Sequence, residues 1–215
     1  MSQHLFTVGH SNLSIEDFIS LLKKYKINAV VDVRSHPYSS YSPHFNRNSL
    51  KFELLKAKYK YVFLGEELGA RPKDLSCYIN DQAVYKKIAN THYFKAGINR
   101  IILGLNKYRI ALMCSEKDPI SCHRTILICK YLRQLDLEIN HIIDEKTIES
   151  QKQLEDRLLD LHGFDLENNR LKVPEIIQFN LFSSVQFNTE SSISKTEFLE
   201  RAYLLQENKI AYKNK

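Results

Sequence analysis

The sequence predicts an α/β fold: a mainly parallel open sheet flanked by helices, with a C-terminal helical extension. Three observations lead there. The run 29–33 is rich in β-branched residues and apolar on both faces, as central parallel strands are, and 109–113 is a second strand-like run. Amphipathic helical stretches alternate with these runs. The strand-like runs also hand over to polar segments, as in Rossmann-like and flavodoxin-like sheets, whose ligands bind beyond the carboxyl ends of the strands.

Leu5-Phe6-Thr7-Val8 reads as the first strand and ends in Gly9-His10-Ser11-Asn12. Ser14, with Asp17 three residues on, opens a helix through Phe18, Ile19, Leu21, Leu22 and Tyr25. Ala29-Val30-Val31-Asp32-Val33 is the second strand and completes a βαβ unit. Residues 34–48 hold Pro37, Pro43 and a cluster of serines and tyrosines, so they form an irregular loop of the length that often carries function. A helix is expected over 49–59, and a short strand, Tyr61-Val62-Phe63-Leu64, leads into a turn over 65–72. Residues 81–106 read as largely helical, with Gly97 as the point of division. A strand over 109–113 follows, then a helix after Arg124 and a last strand near 139–143. Beyond it, 147–161 is a charged helix with an apolar stripe at Leu154, Leu158 and Leu161. Residues 179–194 are serine- and asparagine-rich enough for a loop or linker, and 195–212 is helical again. The chain thus divides into an α/β domain, 1–145, and a helical and irregular extension, 146–215, packed on or tethered to it.

A 43% hydrophobic and 26% charged composition suits a soluble globular chain. No stretch approaches the roughly 20 apolar residues of a membrane span, and Met1-Ser2-Gln3-His4-Leu5 has neither the basic nor the apolar region of a signal peptide. A cytoplasmic protein with no membrane partner is expected. Cys77, Cys114, Cys122 and Cys129 then read as reduced thiols, Cys129 as a small core residue. The net charge of +6 and the pI near 9.0 favour an anionic partner, although scattered lysines are also ordinary solvated surface.

The densest chemistry lies between strand and helix, in Cys114-Ser115-Glu116-Lys117-Asp118-Pro119-Ile120-Ser121-Cys122-His123-Arg124. A thiol at a helix start beside Arg124 is readily ionised, which makes Cys122 a candidate nucleophile. Asp32, Glu116 and His123 are the candidate acids and bases. The expected ligand contacts are Gly9, His10, Ser11, Arg34, Ser35, Tyr41, His44, Asn46, Gly69, Arg71, Cys114 and Arg124, the three arginines offering forks for phosphate. Each has a plain structural alternative. Asp32 and Arg34 can close the sheet edge as an ion pair, Cys122 can be an inert buried thiol, and Tyr38, Tyr41, His44 and Phe45 can be the loop's own core. No cofactor is predicted. Zinc on Cys114, Cys122 and His123 would need an imported fourth ligand such as His44, and the thiols lack the short CxxC spacing of structural sites. A phosphatase- or rhodanese-type anion loop is not matched, since Cys122 and Arg124 are too close and no glycine lies between Cys114 and Arg124.

Gly9-His10-Ser11-Asn12, Val31-Asp32-Val33-Arg34-Ser35-His36-Pro37, Pro43-His44-Phe45-Asn46, Leu64-Gly65-Glu66-Glu67-Leu68-Gly69-Ala70-Arg71-Pro72 and Cys114-Ser115-Glu116-Lys117-Asp118-Pro119 with Cys122-His123-Arg124 occur here in one order. Together they resemble the family called domain of unknown function 488, from about residue 6 to about residue 143. Ile210-Ala211-Tyr212 is similar to the tail of its longer members, and Ala70 stands where the family commonly has a second glycine. The resemblance implies an α/β fold and a single site built from these motifs, with no established reaction. Three functions remain open from sequence: an enzyme, hydrolase or transferase, acting on a nucleotide or nucleic acid; a non-catalytic nucleic-acid-binding module with a base-stacking aromatic loop; and a sulfur-transfer or redox protein using Cys114 and Cys122. The sequence carries no signal of oligomeric state.

Overall fold

The structure, a computed structural model, describes residues 3–165, 170–171 and 194–214; the expected linker over 179–193 lies outside them. Strands β1 (Gln3–Gly9), β2 (Ala29–Asp32), β3 (Lys60–Phe63), β6 (Ile110–Cys114), β7 (Leu137–Ile142) and β8 (Ile148–Ser150) form one sheet, while β4 (Tyr78–Ile79) and β5 (Gln82–Ala83) form a separate hairpin. The sheet order is β3-β2-β6-β1-β7-β8, parallel throughout except for the last pair. The α/β expectation is met. In this register Gly9 lies opposite Cys114 and Asp32 opposite Met113, which sets the ends of β1, β6 and β2 side by side.

Alternation along the strands builds two cores. Phe6, Val8, Val30, Ala111 and Met113 face helices α1 (Ile15–Lys24) and α2 (Arg47–Lys56). Leu5, Val31, Ile110, Leu112 and Cys114 face the opposite layer. That layer comprises α4 (Tyr85–Asn90), α5 (His92–Leu105), α6 (Lys130–Leu132) with the π-helical turns Arg124–Cys129 before it, α7 (Gln151–Leu161) and α8 (Lys195–Ile210). A short helix, α3 (Gly65–Leu68), joins it. Covered on both faces, β1, β2 and β6 are apolar at successive positions, and each fully buried Leu or Val there contributes roughly 1.5–3 kcal/mol. Ser14 caps α1 by accepting from the Asp17 amide at 3.0 Å. No helix among the described residues is long and apolar enough to cross a membrane.

Three expectations are corrected. Residues 81–83 belong to the β4–β5 hairpin, whose turn residues Asn80 and Asp81 both have positive φ, 46° and 61°. The helices after it divide at Thr91, whose side chain caps α5, and not at Gly97; a Cβ at Gly97 would press on Leu68 of α3. The helix expected over 147–161 begins only at Gln151, because Ile148–Ser150 pairs with β7 and Ser150 forms a capping box with Gln153. Its buried stripe is Leu154, Leu158 and Leu159, with Leu161 exposed. At the C-terminus, Glu207 accepts the Tyr85 amide at 2.7 Å and the Tyr212 carbonyl accepts the Ala83 amide at 2.8 Å, which carries the chain end to the carboxyl edge of the sheet.

Candidate functional site

Strand β2 delivers Asp32 to the face covered by α1 and α2, with no solvent exposure. Its Oδ1 accepts from the Arg34 amide at 3.1 Å and from Arg34 Nε at 2.9 Å. Its Oδ2 accepts from Arg34 Nη2 at 2.7 Å and from the Tyr61 hydroxyl at 2.9 Å. All four acceptor positions of the carboxylate are therefore filled. Arg34 Nη2 also donates to the Phe45 carbonyl, and Nη1 donates to His10 Nε2 at 3.2 Å. His10 in turn donates from Nδ1 to the Ser11 carbonyl, and its ring stacks on Phe45. Burial and the Arg34 charge lower its pKa to about 4, so the ring is neutral and serves as Arg34's acceptor.

On the opposite face, the chain leaves β6 at Cys114, turns through Asp118, which caps the short helix Pro119–Ser121, and returns at Cys122 and His123. The Cys114 and Cys122 sulfurs lie 3.7 and 3.9 Å from His123 Nδ1. Cys122 Sγ also lies 3.0 Å from Glu116 Oε2, and the Arg124 amide points at Cys122 Sγ from 3.5 Å. His123 Nε2 meets the Val33 carbonyl at 2.9 Å, which ties this cluster to the end of β2. Burial pushes the Cys122 thiol up, but the hydrogen bond from Cys114 and the charges of Arg124 and His123 outweigh it and hold the group well below an ordinary thiol. Cys114 and Glu116 move the other way, burial first and then the charge on Cys122 raising both. Burial works against a charged His123, yet the Cys122 hydrogen bond and charge raise it. The π-helical turns begin immediately after this histidine, and such turns often mark functional positions.

A cavity of about 280 Å³ opens over this edge, lined by Arg34, Ser35, Arg71, Cys114, Glu116 and His123 from the sequence-derived set. Several expected residues lie elsewhere. Asp32 and His10 are spent in the closed network beneath it. Cys122 lies behind the cavity wall, only 1% exposed. Arg124 is fully buried, donating to the carbonyls of Glu116 at 2.6 Å and Lys117 at 3.1 Å, so it braces the loop and offers no fork to a ligand. Gly9 makes a close approach, but to this chain: a Cβ there would run into the Glu116 carbonyl. Gly69 likewise makes room for Gly65 and Ser35. Ser11 and Gly9 line a separate cavity near Asp144. His44 bonds the Leu13 carbonyl, Asn46 accepts the Ser39 amide, and Tyr41 is 96% exposed, so none reaches the cavity. Of the aromatic loop only Phe45 is core; Tyr38 and Tyr41 face solvent.

The remaining wall is His36, Ala70, Tyr85, Ser115, Ser121, Ile210 and Tyr212. His36, Ala70 and Ser115 sit inside motifs already noted, and the motif Ile210-Ala211-Tyr212 pointed to the tail. Nothing in the sequence marked Tyr85. Arg71 rests its guanidinium over the Tyr212 ring at 4.4 Å, and no ion pair among the described residues uses it.

The family model described as Domain of unknown function DUF488 matches residues 14–131, more than half of the chain. That span holds β2, the long loop, β6 and the whole segment from Cys114 to Arg124. No curated protein and no solved structure matches the chain.

Proposed function

This chain belongs to the family called domain of unknown function 488, and from that premise we propose that the cavity is the active site of a hydrolase or transferase acting on a phosphate-bearing ligand, a nucleotide or the end of a nucleic acid. One observation carries the reading: Cys114, Glu116 and His123 line the same cavity as Arg71, a guanidinium with no carboxylate partner among the described residues. Groups able to move protons or act as nucleophiles thus share a cavity with a planar fork suited to phosphate. Arg34 also lines the cavity but is neutralised by Asp32, so Arg71 is the cation available to a ligand, and the aromatic sides of Tyr85, Tyr212 and His36 suit a base. The net charge of +6 favours the same class of ligand.

Calorimetric titration of the full chain with mononucleotides and short single strands, at two salt concentrations, tests this. Binding should weaken with salt. In Arg71→Ala it should fall roughly 10- to 100-fold, the loss of one charge-assisted contact of about 1.5–3 kcal/mol. Equal affinity in Arg71→Ala, or no binding by any phosphate-bearing ligand, refutes the reading. Sulfur transfer draws on the acidity of Cys122, but that sulfur lies behind the wall, so a donor could reach it only if the loop opened. Chemistry on a bound phosphate ligand is the reading the cavity supports better.

A further inference from the structure

Tetrahedral zinc with sulfur bonds of about 2.3 Å and nitrogen bonds of about 2.0 Å places sulfur and nitrogen ligands about 3.5 Å apart and two sulfurs about 3.8 Å apart. Cys114 Sγ and Cys122 Sγ stand 3.7 and 3.9 Å from His123 Nδ1. The three ligand atoms lie within 4.8 Å of one another, and no other such trio of Cys, His, Asp or Glu occurs among the described residues. We propose that Cys114, Cys122 and His123 are three ligands of a zinc ion whose fourth position opens on the cavity beside Glu116.

The hydrogen bonds behind these side chains support it independently. His123 Nε2 donates to the Val33 carbonyl, which leaves Nδ1 toward both sulfurs, the orientation that metal-binding histidines are given by such a partner. The Arg124 amide points at Cys122 Sγ, and the buried Arg124 guanidinium adds a positive charge on the protein side of the cluster. Entry is open, because Cys114, Glu116 and His123 line the cavity. Sequence spacing argued against zinc for lack of CxxC, yet the loop from Asp118 through Ser121 folds Cys122 back onto Cys114, so proximity comes from the turn. His44, the expected fourth ligand, is engaged with Leu13 and is not needed, since catalytic zinc sites use three protein ligands and leave one position for water or substrate. A zinc ion held there would supply Lewis-acid chemistry to a ligand in the cavity, which Glu116 also lines beside Cys122.

The proposal goes beyond the phosphate-ligand reading and is tested apart from it. The reduced full-length chain is stripped with a chelator, then titrated with cobalt and with zinc, and its metal is counted by plasma mass spectrometry. One equivalent of cobalt should give thiolate-to-metal charge-transfer absorption with the intense visible bands of a tetrahedral site, and zinc should erase both. Cys114→Ser and Cys122→Ser should lose the charge-transfer signal or bind metal at least tenfold more weakly, whereas Cys129→Ser, at a buried thiol outside the trio, should keep both. Glu116→Gln should keep one metal per chain; loss of the metal in that variant overturns the open fourth position. Absence of a charge-transfer band in the folded native chain, or a Cys114–Cys122 disulfide in place of metal, overturns the site. The native spectrum decides even if a cysteine variant fails to fold. Nucleotide titration of the stripped protein is scored separately, so failure of the metal site and failure of the phosphate reading are distinguishable.

Discussion

Two polar clusters flank the carboxyl edge of the sheet, one on each face, and they differ in how completely their bonding capacity is used. Around Asp32, every carboxylate acceptor position is filled by Arg34 and Tyr61, and Arg34 is bonded further to Phe45 and His10. Around Cys114, the contacts are sulfur to nitrogen at 3.7 and 3.9 Å, and three of the four side chains line a cavity. A closed network holds the edge together and has no capacity left for a ligand. An open cluster costs stability unless something else completes it, which is the condition of a site. Both clusters came from the same kind of sequence motif, a strand running into charged and nucleophilic residues, so motif content alone does not separate framework from site.

The comparison is broken most forcefully at Asp32. Asp32→Ala leaves Arg34 as an uncompensated buried charge and should cost about 3–5 kcal/mol. In the metal-free chain, Cys122→Ala should cost only on the order of 1 kcal/mol. Urea denaturation of both variants checks this, and similar losses would mean that the two clusters share one structural role.

Acid attacks the closed network without mutation. The pKa of His10 is lowered in the fold to about 4 from an ordinary value of 6.5, so at neutral pH folded and unfolded chains are both unprotonated there. Below about pH 6.5 the unfolded chain takes up the proton first, and stability falls as pH drops toward about 4, by roughly 3 kcal/mol from this residue. His141, buried with Thr7 and Gln151 and lowered to about 3, adds in the same direction. Denaturation midpoints across this range should decline, and the slope should flatten in His10→Asn. A stability independent of pH there would mean that His10 is not the neutral acceptor of Arg34.

Gly9→Ala tests the seam between the clusters. Its Cβ would displace the Glu116 carbonyl that Arg124 holds, for a loss of about 1–3 kcal/mol. The added displacement should also weaken ligand binding at Glu116, while an unchanged melting temperature would show that the loop has slack. Smallest in stability is Arg71→Ala. Removing an exposed guanidinium from the Tyr212 ring should shift stability by no more than about 0.5 kcal/mol while binding of phosphate-bearing ligands drops. A large loss of stability would assign Arg71 to the framework.

Much of the frame was legible. The doubly apolar runs at β2 and β6 required strands buried on both faces, and Ser14 with Asp17 fixed the start of α1. The β4–β5 hairpin was missed because the helical reading started at Asp81, although Asn80-Asp81 suits the positive-φ turn that was found. For the site, the loop from Cys114 to Arg124 was legible as a unit, but Arg124 was read as facing a ligand, and Asp32 as an acid or base with its ion pair to Arg34 as the alternative. Their side chains instead turn inward to carbonyls and to Arg34, and sequence has no term for direction.

Residue pattern alone is enough to set which strands lie at the centre of the sheet, where each hands over to polar residues, and that thiol, imidazole, carboxylate and guanidinium groups share one loop. Which of those groups are used up depends on how the layers pack. Strand alternation sends Asp32 and Cys114 to opposite faces, parallel register sets Gly9 against Cys114, and the chain end brings Tyr212 over to Arg71. Those are long-range outcomes of packing two layers on one sheet, and local residue pattern does not encode the partner that a polar group meets once it is buried.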